Sequence, residues 1–195
     1  MTPAKIHIHR TTRVVVLTGA GVSAESGIKT FRDSDGLWEN HNIEDVATPE
    51  AWLRNPELVW DFYKQRYANA RSAEPNPGHY ALADLETRLG KNFWLITQNV
   101  DGLHRRAGNK NLLEMHGCLE QAICVHCGAR YPMATVNLAV KVPECPRCEE
   151  FIRPDIVWFG EIPYHLEEIE QVIRQADLFL VLGTSGTVYP AAGFV

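Results

Sequence analysis

Four of the five cysteines fall in two pairs, Cys124-x-x-Cys127 and Cys145-x-x-Cys148, with 17 residues between the pairs. Each pair offers two thiolates from one tight turn, and tetrahedral zinc takes two such pairs. Four protein ligands leave the metal no open position, so the expected role is structural. Neither pair follows a strand–helix junction, which disfavours a redox dithiol. Cys118 lies outside the spacing and reads as a plain buried thiol. A second chemical stretch is residues 14–32, VVVLTGAGVSAESGIKTFR. Apolar β-formers run into Gly19-Ala20-Gly21, and the small-residue segment 22–27 then starts a helix. A buried strand, a glycine turn and a helix N-terminus together make a phosphate site. The letters fit the dinucleotide fingerprint only loosely, and a tight turn with no ligand fits them too. A dehydrogenase needs an acidic second strand about 20 residues on. Residues 30–42, TFRDSDGLWENHN, are instead a polar, turn-rich segment, a loop that could fold over a ligand. The stretch suits NAD but not simple hydride transfer. A third candidate is His116, whose unperturbed pKa of about 6.5 suits a general base. A lone histidine is more often structural; its place after a strand end, among other polar clusters, favours the base.

The elements that must position these groups alternate. Apolar runs at residues 14–18, 93–97, 112–115, 156–159 and 178–182 read as strands. Pro49 and Pro56 suit helix starts. Residues 56–70 carry Leu58, Val59, Phe62 and Tyr63 on one helical face. Asn76-Pro77 caps a helix that runs to about Leu89 and stops at Gly90, and residues 164–175 form another. Residues 118–152 change character and hold the cysteine pairs. Strands alternating with helices predict an α/β fold, a parallel sheet with helices on both faces. Polar clusters follow four strands: residues 19–23, 98–101, His116-Gly117 and 183–185. Ligands bind at the carboxyl ends of such strands, so the four clusters predict one crevice.

The 195 residues allow one domain, or one domain with a small module. The net charge of −5 disfavours nucleic acid and acidic membrane as partners. Residues 118–153 balance four bases (Arg130, Lys141, Arg147, Arg153) with four acids (Glu120, Glu144, Glu149, Glu150), so the module carries no electrostatic footprint for DNA. There is no apolar run of membrane-spanning length and no signal-peptide core, so a cytoplasmic protein is expected.

Taken together, GAGVSAESGIKTFR, TQNVDGLH, His116-Gly117, the cysteine pairs, RPDIVWFGE and Gly183-Thr184-Ser185 resemble the sirtuin (Sir2) family of NAD-dependent protein-lysine deacylases. The resemblance spans nearly the whole chain, in family order, and is nearest the bacterial CobB-type and desuccinylase-like (class III) members. It implies a Rossmann-like NAD domain (residues 1–117 and 153–195) with an inserted zinc-ribbon module (residues 118–152). It implies NAD+ as co-substrate, one structural Zn2+, and acyl-lysine proteins or peptides as partners of a monomeric enzyme. By resemblance, Gly19, Ala20 and Gly21 hold the pyrophosphate, and Phe31 and Arg32 lie in the loop closing over the nicotinamide ribose. Gln98 and Asn99 orient that ribose, Asp101 binds the carboxamide, and His116 is the base. Asn99 and Asp101 thereby join His116 in the catalytic set. Thr184 and Ser185 contact the adenosine side, and Ser23, Glu25, Trp38, Val100 and Gly183 complete the cofactor set. The products implied are free lysine, nicotinamide and O-acyl-ADP-ribose.

The same resemblance makes Val157, Trp158, Phe159 and Gly160 an edge that pairs with the peptide, with Trp158 and Phe159 helping to line the lysine tunnel. Each aromatic alone is equally compatible with plain core. Tyr63 and Arg66 share a helix face, and a phenol beside a guanidinium makes a carboxylate receptor. The desuccinylase branch carries this Tyr-x-x-Arg pair, which implies succinyl- or malonyl-lysine as substrates beside acetyl-lysine; a packed Tyr and a solvated Arg are the plainer alternative. His79, His104 and the other histidines are expected to be structural. Family members usually run some dozens of residues past the position of Val195, so a C-terminally truncated sheet is expected. Mono-ADP-ribosyl transfer, an NAD oxidoreductase and a non-catalytic zinc module are the competing readings.

Overall fold

Successive side chains of a strand point to opposite faces of its sheet, and the parallel sheet of this fold uses both faces. The computed structural model describes residues 7–29, 41–186 and 189–194. In chain order the elements are β1 (Val14–Thr18), a 3₁₀ helix (Ala20–Ser26), α1 (Ile43–Val46), α2 (Pro49–Arg54), α3 (Pro56–Ser72), α4 (Pro77–Leu89), β2 (Phe93–Thr97), α5 (Leu103–Ala107), β3 (Leu112–Glu114), β4 (Gly117–Cys124), β5 (Arg130–Pro132), β6 (Ile152–Ile156), α6 (Leu166–Arg174) and β7 (Leu178–Leu182). Four strands form a parallel sheet in the order β3-β2-β1-β7. Val14 and Val16 join Phe93 and Leu95 against Leu82 and Leu89 of α4. Val15 and Leu17 join Ile96, Leu113 and Met115 against Ile169 of α6. The helices therefore cover both faces, as the alternating pattern predicts. β1, β2 and β7 end level, with Thr18 opposite both Thr97 and Leu182, so their loops leave from one edge.

α2, α3 and α4 begin where local chemistry says they should. Thr48 accepts from Ala51 N at 3.0 Å, Asn55 from Leu58 N at 3.1 Å, and Asn76 from Gly78 N at 2.9 Å. Each cap precedes a proline at the first helical position, where a missing N–H costs nothing.

A second sheet, antiparallel in the order β5-β4-β6, carries the cysteine-rich segment. It corrects one sequence expectation. The strand expected at residues 156–159 lies earlier, at Ile152–Ile156, and pairs with β4 rather than joining the parallel sheet. Pro154 can sit there because β6 is an edge strand. Residues 157–160 leave the sheet, and the Trp158 N–H donates to the Glu161 carboxylate at 2.8 Å instead of a neighbouring strand. The helix expected at residues 22–27 is also different. It is the seven-residue 3₁₀ turn, closed by Gly27 at φ 83°. α1, α2 and α3 pack on β4 and β6 around Trp60, Tyr63, Leu119, Met133, Ile152 and Trp158. Trp60 Nε1 donates to Ile152 O at 2.9 Å, and Lys64 Nζ to Val140 O at 2.6 Å, so α3 is tied to the cysteine module. Among the described residues, no helix is long and apolar enough to cross a membrane.

Candidate active site and metal centre

The two CxxC turns meet. The sulfurs of Cys124, Cys127, Cys145 and Cys148 all lie within 4.8 Å of one another. Cys124 Sγ is 3.5 Å from Cys148 Sγ, and Cys127 Sγ is 3.8 Å from Cys145 Sγ. A zinc–thiolate tetrahedron with bonds of about 2.3 Å has edges of about 3.8 Å. The thiols are unbridged by disulfides. The cluster fits a structural zinc ion, and Tyr131 Oη, 3.0 Å from Cys145 Sγ, stands where its proton can support a bound thiolate. Cys118 is outside this set; burial pushes its thiol up to about 12.

The level strand ends bring the polar clusters together. Gly19 N donates to Leu182 O at 3.0 Å and Gly21 N to Gly183 O at 2.8 Å, zipping the β1 loop to the β7 loop. A Cβ at Gly19 would lie 2.6 Å from Thr184 Cβ, and one at Gly21 would lie 2.9 Å from Gly183 O. A side chain at either position would therefore clash with the β7 loop, so glycine is required for this close approach. The Gln98 side chain crosses the same seam, its Nε2 donating to Thr184 Oγ1 at 3.0 Å. Asn99 Nδ2 donates to Gly19 O at 3.1 Å and to Ser23 Oγ at 3.2 Å, and Ser23 Oγ donates to Asp101 Oδ2 at 2.7 Å. Asp101 Oδ1 accepts from Leu103 N at 2.9 Å, which ties the carboxylate to the start of α5. The Val100 carbonyl accepts from Leu119 N at 2.8 Å.

His116 follows β3. Its Nδ1 is 3.1 Å from the Gln98 carbonyl, which can only accept, so Nδ1 carries the proton and Nε2 keeps its lone pair. Burial lowers the imidazole pKa below its usual value, offset in part by that hydrogen bond. The ring is thus a neutral base with a fixed tautomer. Glu25 and Gly183 are exposed, Thr184 is half-buried and Ser185 is exposed. Phe31, Arg32 and Trp38 lie outside the described residues.

Two histidines expected to be structural turn out to underlie this cluster. His79 Nδ1 accepts from Asn76 N at 3.2 Å, which leaves Nε2–H facing Ser23 Oγ at 3.5 Å. Thr18 Oγ1 donates to Thr97 Oγ1 at 2.9 Å, so the His104 Nε2–H, 3.0 Å from Thr18 Oγ1, is the donor in that contact. The two rings are 4.7 Å apart. Burial lowers the pKa of both, that of His104 to about 3. The sequence does mark His79 as the third residue of a capping box, but its reach to Ser23, 56 residues away, has no local signature.

Tyr63 and Arg66 lie on one face of α3. Tyr63 is 1% exposed and its hydroxyl accepts from Trp158 Nε1 at 3.0 Å. Burial pushes its pKa up to about 12, so it remains a phenol. Arg66, Asn69 and Ala70 line a narrow cleft with Gly27, Ile28, Lys29, Asp101 and Leu119. The expected acyl-end residue therefore shares a cleft with a member of the strand-end cluster. Val157 N donates to His116 O at 2.9 Å and Phe159 N to Ala47 O at 3.0 Å. The Trp158 carbonyl accepts from Glu161 N at 3.0 Å, so with its N–H on the Glu161 carboxylate both backbone groups of Trp158 are engaged within the chain. Phe159 is 44% exposed, whereas Trp158 is 3% exposed, packed against Tyr63 and Trp52. A broader hollow in the module, lined by Tyr131, Val136, Val140, Val142 and Pro143, includes none of these polar residues.

The model of the Sir2 family matches residues 19–190. A Bdellovibrio bacteriovorus protein named NAD-dependent protein deacylase is 60% identical over 186 residues, covering 93% of this chain and 78% of that protein. Among solved structures, a Sir2 homologue–NAD complex is similar at TM-score 0.85 and 43% identity, covering 93% of this chain and 71% of that one. A Sir2–p53 peptide–NAD+ complex is similar at TM-score 0.81 and 38% identity, covering 93% of this chain and 74% of that one. With a family match over most of its length and a relative this close, the chain belongs to the Sir2 family, the sirtuins.

Proposed function

We propose that this chain is an NAD-dependent protein-lysine deacylase that removes acetyl groups and also acidic acyl groups, succinyl and malonyl, from lysine. The observation that carries the reading is the His116–Gln98 hydrogen bond, which leaves a neutral imidazole nitrogen at the end of β3, beside the strand-end cluster. NAD+ carries a pyridinium leaving group on its ribose. The acyl amide oxygen, a weak nucleophile, displaces nicotinamide when held in line. His116 then takes a ribose hydroxyl proton so that the 2′-oxygen attacks the imidate carbon. The lysine amine then leaves the resulting tetrahedral carbon, and addition of one water to the cyclic acyl-ribose cation gives O-acyl-ADP-ribose beside free lysine. The hydroxyl, amide and carboxylate set of Ser23, Asn99 and Asp101 has the donors and acceptors that a ribose diol and a carboxamide require. The bonds of Gln98 and Asn99 to the β1 and β7 loops would brace the adenosine side. Tyr63 and Arg66 would receive the carboxylate end of an acidic acyl chain. Unbridged thiols at a zinc site suit a reducing, cytoplasmic setting.

The test is mass spectrometry of acetyl-lysine and succinyl-lysine peptides incubated with the protein, with and without NAD+. The expected result is NAD-dependent loss of both groups with O-acyl-ADP-ribose formed, and its abolition in His116→Ala with NAD binding retained. The acid limb of kcat/KM should lie below pH 6.5, because burial lowers the His116 pKa. ADP-ribose appearing on the peptide instead would favour mono-ADP-ribosyl transfer.

A further inference from the structure

The Tyr63 hydroxyl is addressed from behind by a tryptophan that has little freedom to turn. Trp158 Nε1 donates to Tyr63 Oη at 3.0 Å. The Arg153 guanidinium carbon lies 3.9 Å from the centroid of the Trp158 ring. Arg153 Nη2 also donates to Glu161 Oε1 at 2.8 Å, and Glu161 Oε2 accepts the Trp158 backbone N–H at 2.8 Å. Trp52 packs at 6.0 Å between ring centroids. Stacking, ion pair and backbone bond thus hold the indole in one orientation.

A phenol oxygen has one proton to give and lone pairs to receive. With the indole N–H on a lone pair, the Tyr63 O–H is directed away from Trp158. A terminal carboxylate requires donors; an acetyl methyl group requires none. We propose that Trp158 is a positioning residue for acyl selectivity, its indole N–H fixing the direction of the Tyr63 O–H so that acyl groups ending in a carboxylate are favoured over acetyl. The inference rests on the reading of Tyr63 and Arg66 as the receptor for the acyl end. It also gives Arg153 and Glu161 a part in selectivity, although each acts only through Trp158.

Trp158→Phe keeps a ring beside Arg153 and Trp52 and removes the N–H. Steady-state kcat and KM would be measured with succinyl-lysine and acetyl-lysine peptides for the unaltered chain, Trp158→Phe, Tyr63→Phe and the double variant. The succinyl-to-acetyl ratio of kcat/KM should fall about three- to tenfold in Trp158→Phe, the loss of one hydrogen bond, mainly through the succinyl KM. In the Tyr63→Phe background the same substitution should leave the ratio unmoved, since there is no hydroxyl to direct. An unchanged ratio in Trp158→Phe, or an equal fall in both backgrounds, would overturn the proposal. If Tyr63→Phe and Arg66→Met themselves leave the ratio unchanged, it is the receptor reading that fails, and this proposal falls with it. Should Trp158→Phe not fold, benzothienylalanine at position 158 keeps the bicyclic shape and removes the same N–H, and the same ratios decide.

Discussion

Lowering the pH from 7.5 to 5 should destabilise the fold through His104. The ring is 2% exposed, and burial, reinforced by the neighbouring His79 ring, holds its pKa down to about 3. Its Nε2–H is committed to Thr18, and Nδ1 is buried with no partner among the described residues, so a proton placed there gains no acceptor. An unfolded histidine titrates near 6.5. Between the two values the unfolded chain binds one more proton, so stability rises with pH and is lost as pH falls below 6.5. At pH 5 the loss is RT ln[(1 + 10^1.5)/(1 + 10^−2)], about 2 kcal/mol, set almost wholly by the unfolded chain's titration. For a chain of this size that is about 4–8 °C in Tm. His104→Gln retains a donor for Thr18 and does not titrate. Thermal unfolding of both proteins at the two pH values would isolate the effect, because contributions from His79, His116 and the thiols are common to both. The unaltered chain should lose about 4–8 °C more than the variant. Equal losses would refute a ring that is neutral when folded and charged when unfolded.

Two further outcomes follow from the geometry. Gly117→Ala should cost at least about 3 kcal/mol or abolish folding, since φ is +81° and the new Cβ would lie 2.0 Å from Asp155 O; Gly160→Ala, at φ +91° with nothing within 4 Å, should cost only ~1–3 kcal/mol by thermal or urea unfolding. Chelation of zinc, or Cys145→Ser, should collapse the module and lower Tm by more than 10 °C (roughly) while removing one zinc per chain by atomic absorption; an unchanged Tm after verified zinc loss would count against a structural metal.

The parts of this fold that were legible in the sequence are those whose cause is local. The runs VVVLT and FWLIT are buried inside the parallel sheet and LFLVL is half-buried at the end of the strand order, so all three read as continuous apolar segments. Thr48, Asn55 and Asn76 announce helix starts because a cap bonds its own next turn. The cysteine spacing is likewise a local geometric statement. What is not legible depends on partners distant in the chain. β4 hides in the cysteine-rich segment, and its pairing with β6 passes through an irregular register between Gly117 and Ala122. The run at residues 157–159 has strand-like composition, but Glu161, Ala47 and His116 claim its backbone groups. The close packing of Gly19 and Gly21 against the β7 loop, more than 160 residues away, likewise has no local signature. His79 announces a helix cap and conceals its contact with Ser23.

Asn76 shows how far a cap can reach. Its side-chain oxygen starts α4, while its Nδ2 donates to Val22 O at 2.8 Å and to Ser26 Oγ at 3.0 Å, pinning the 3₁₀ turn that carries Ser23. Aspartate and serine cap helices about as well as asparagine, but neither offers an amide donor at that place. The substitutions that helix statistics treat as interchangeable are therefore not interchangeable here. The residue that launches α4 also ties down the turn that carries Ser23, so losing its amide would be felt at the strand-end cluster even where the helix start is preserved.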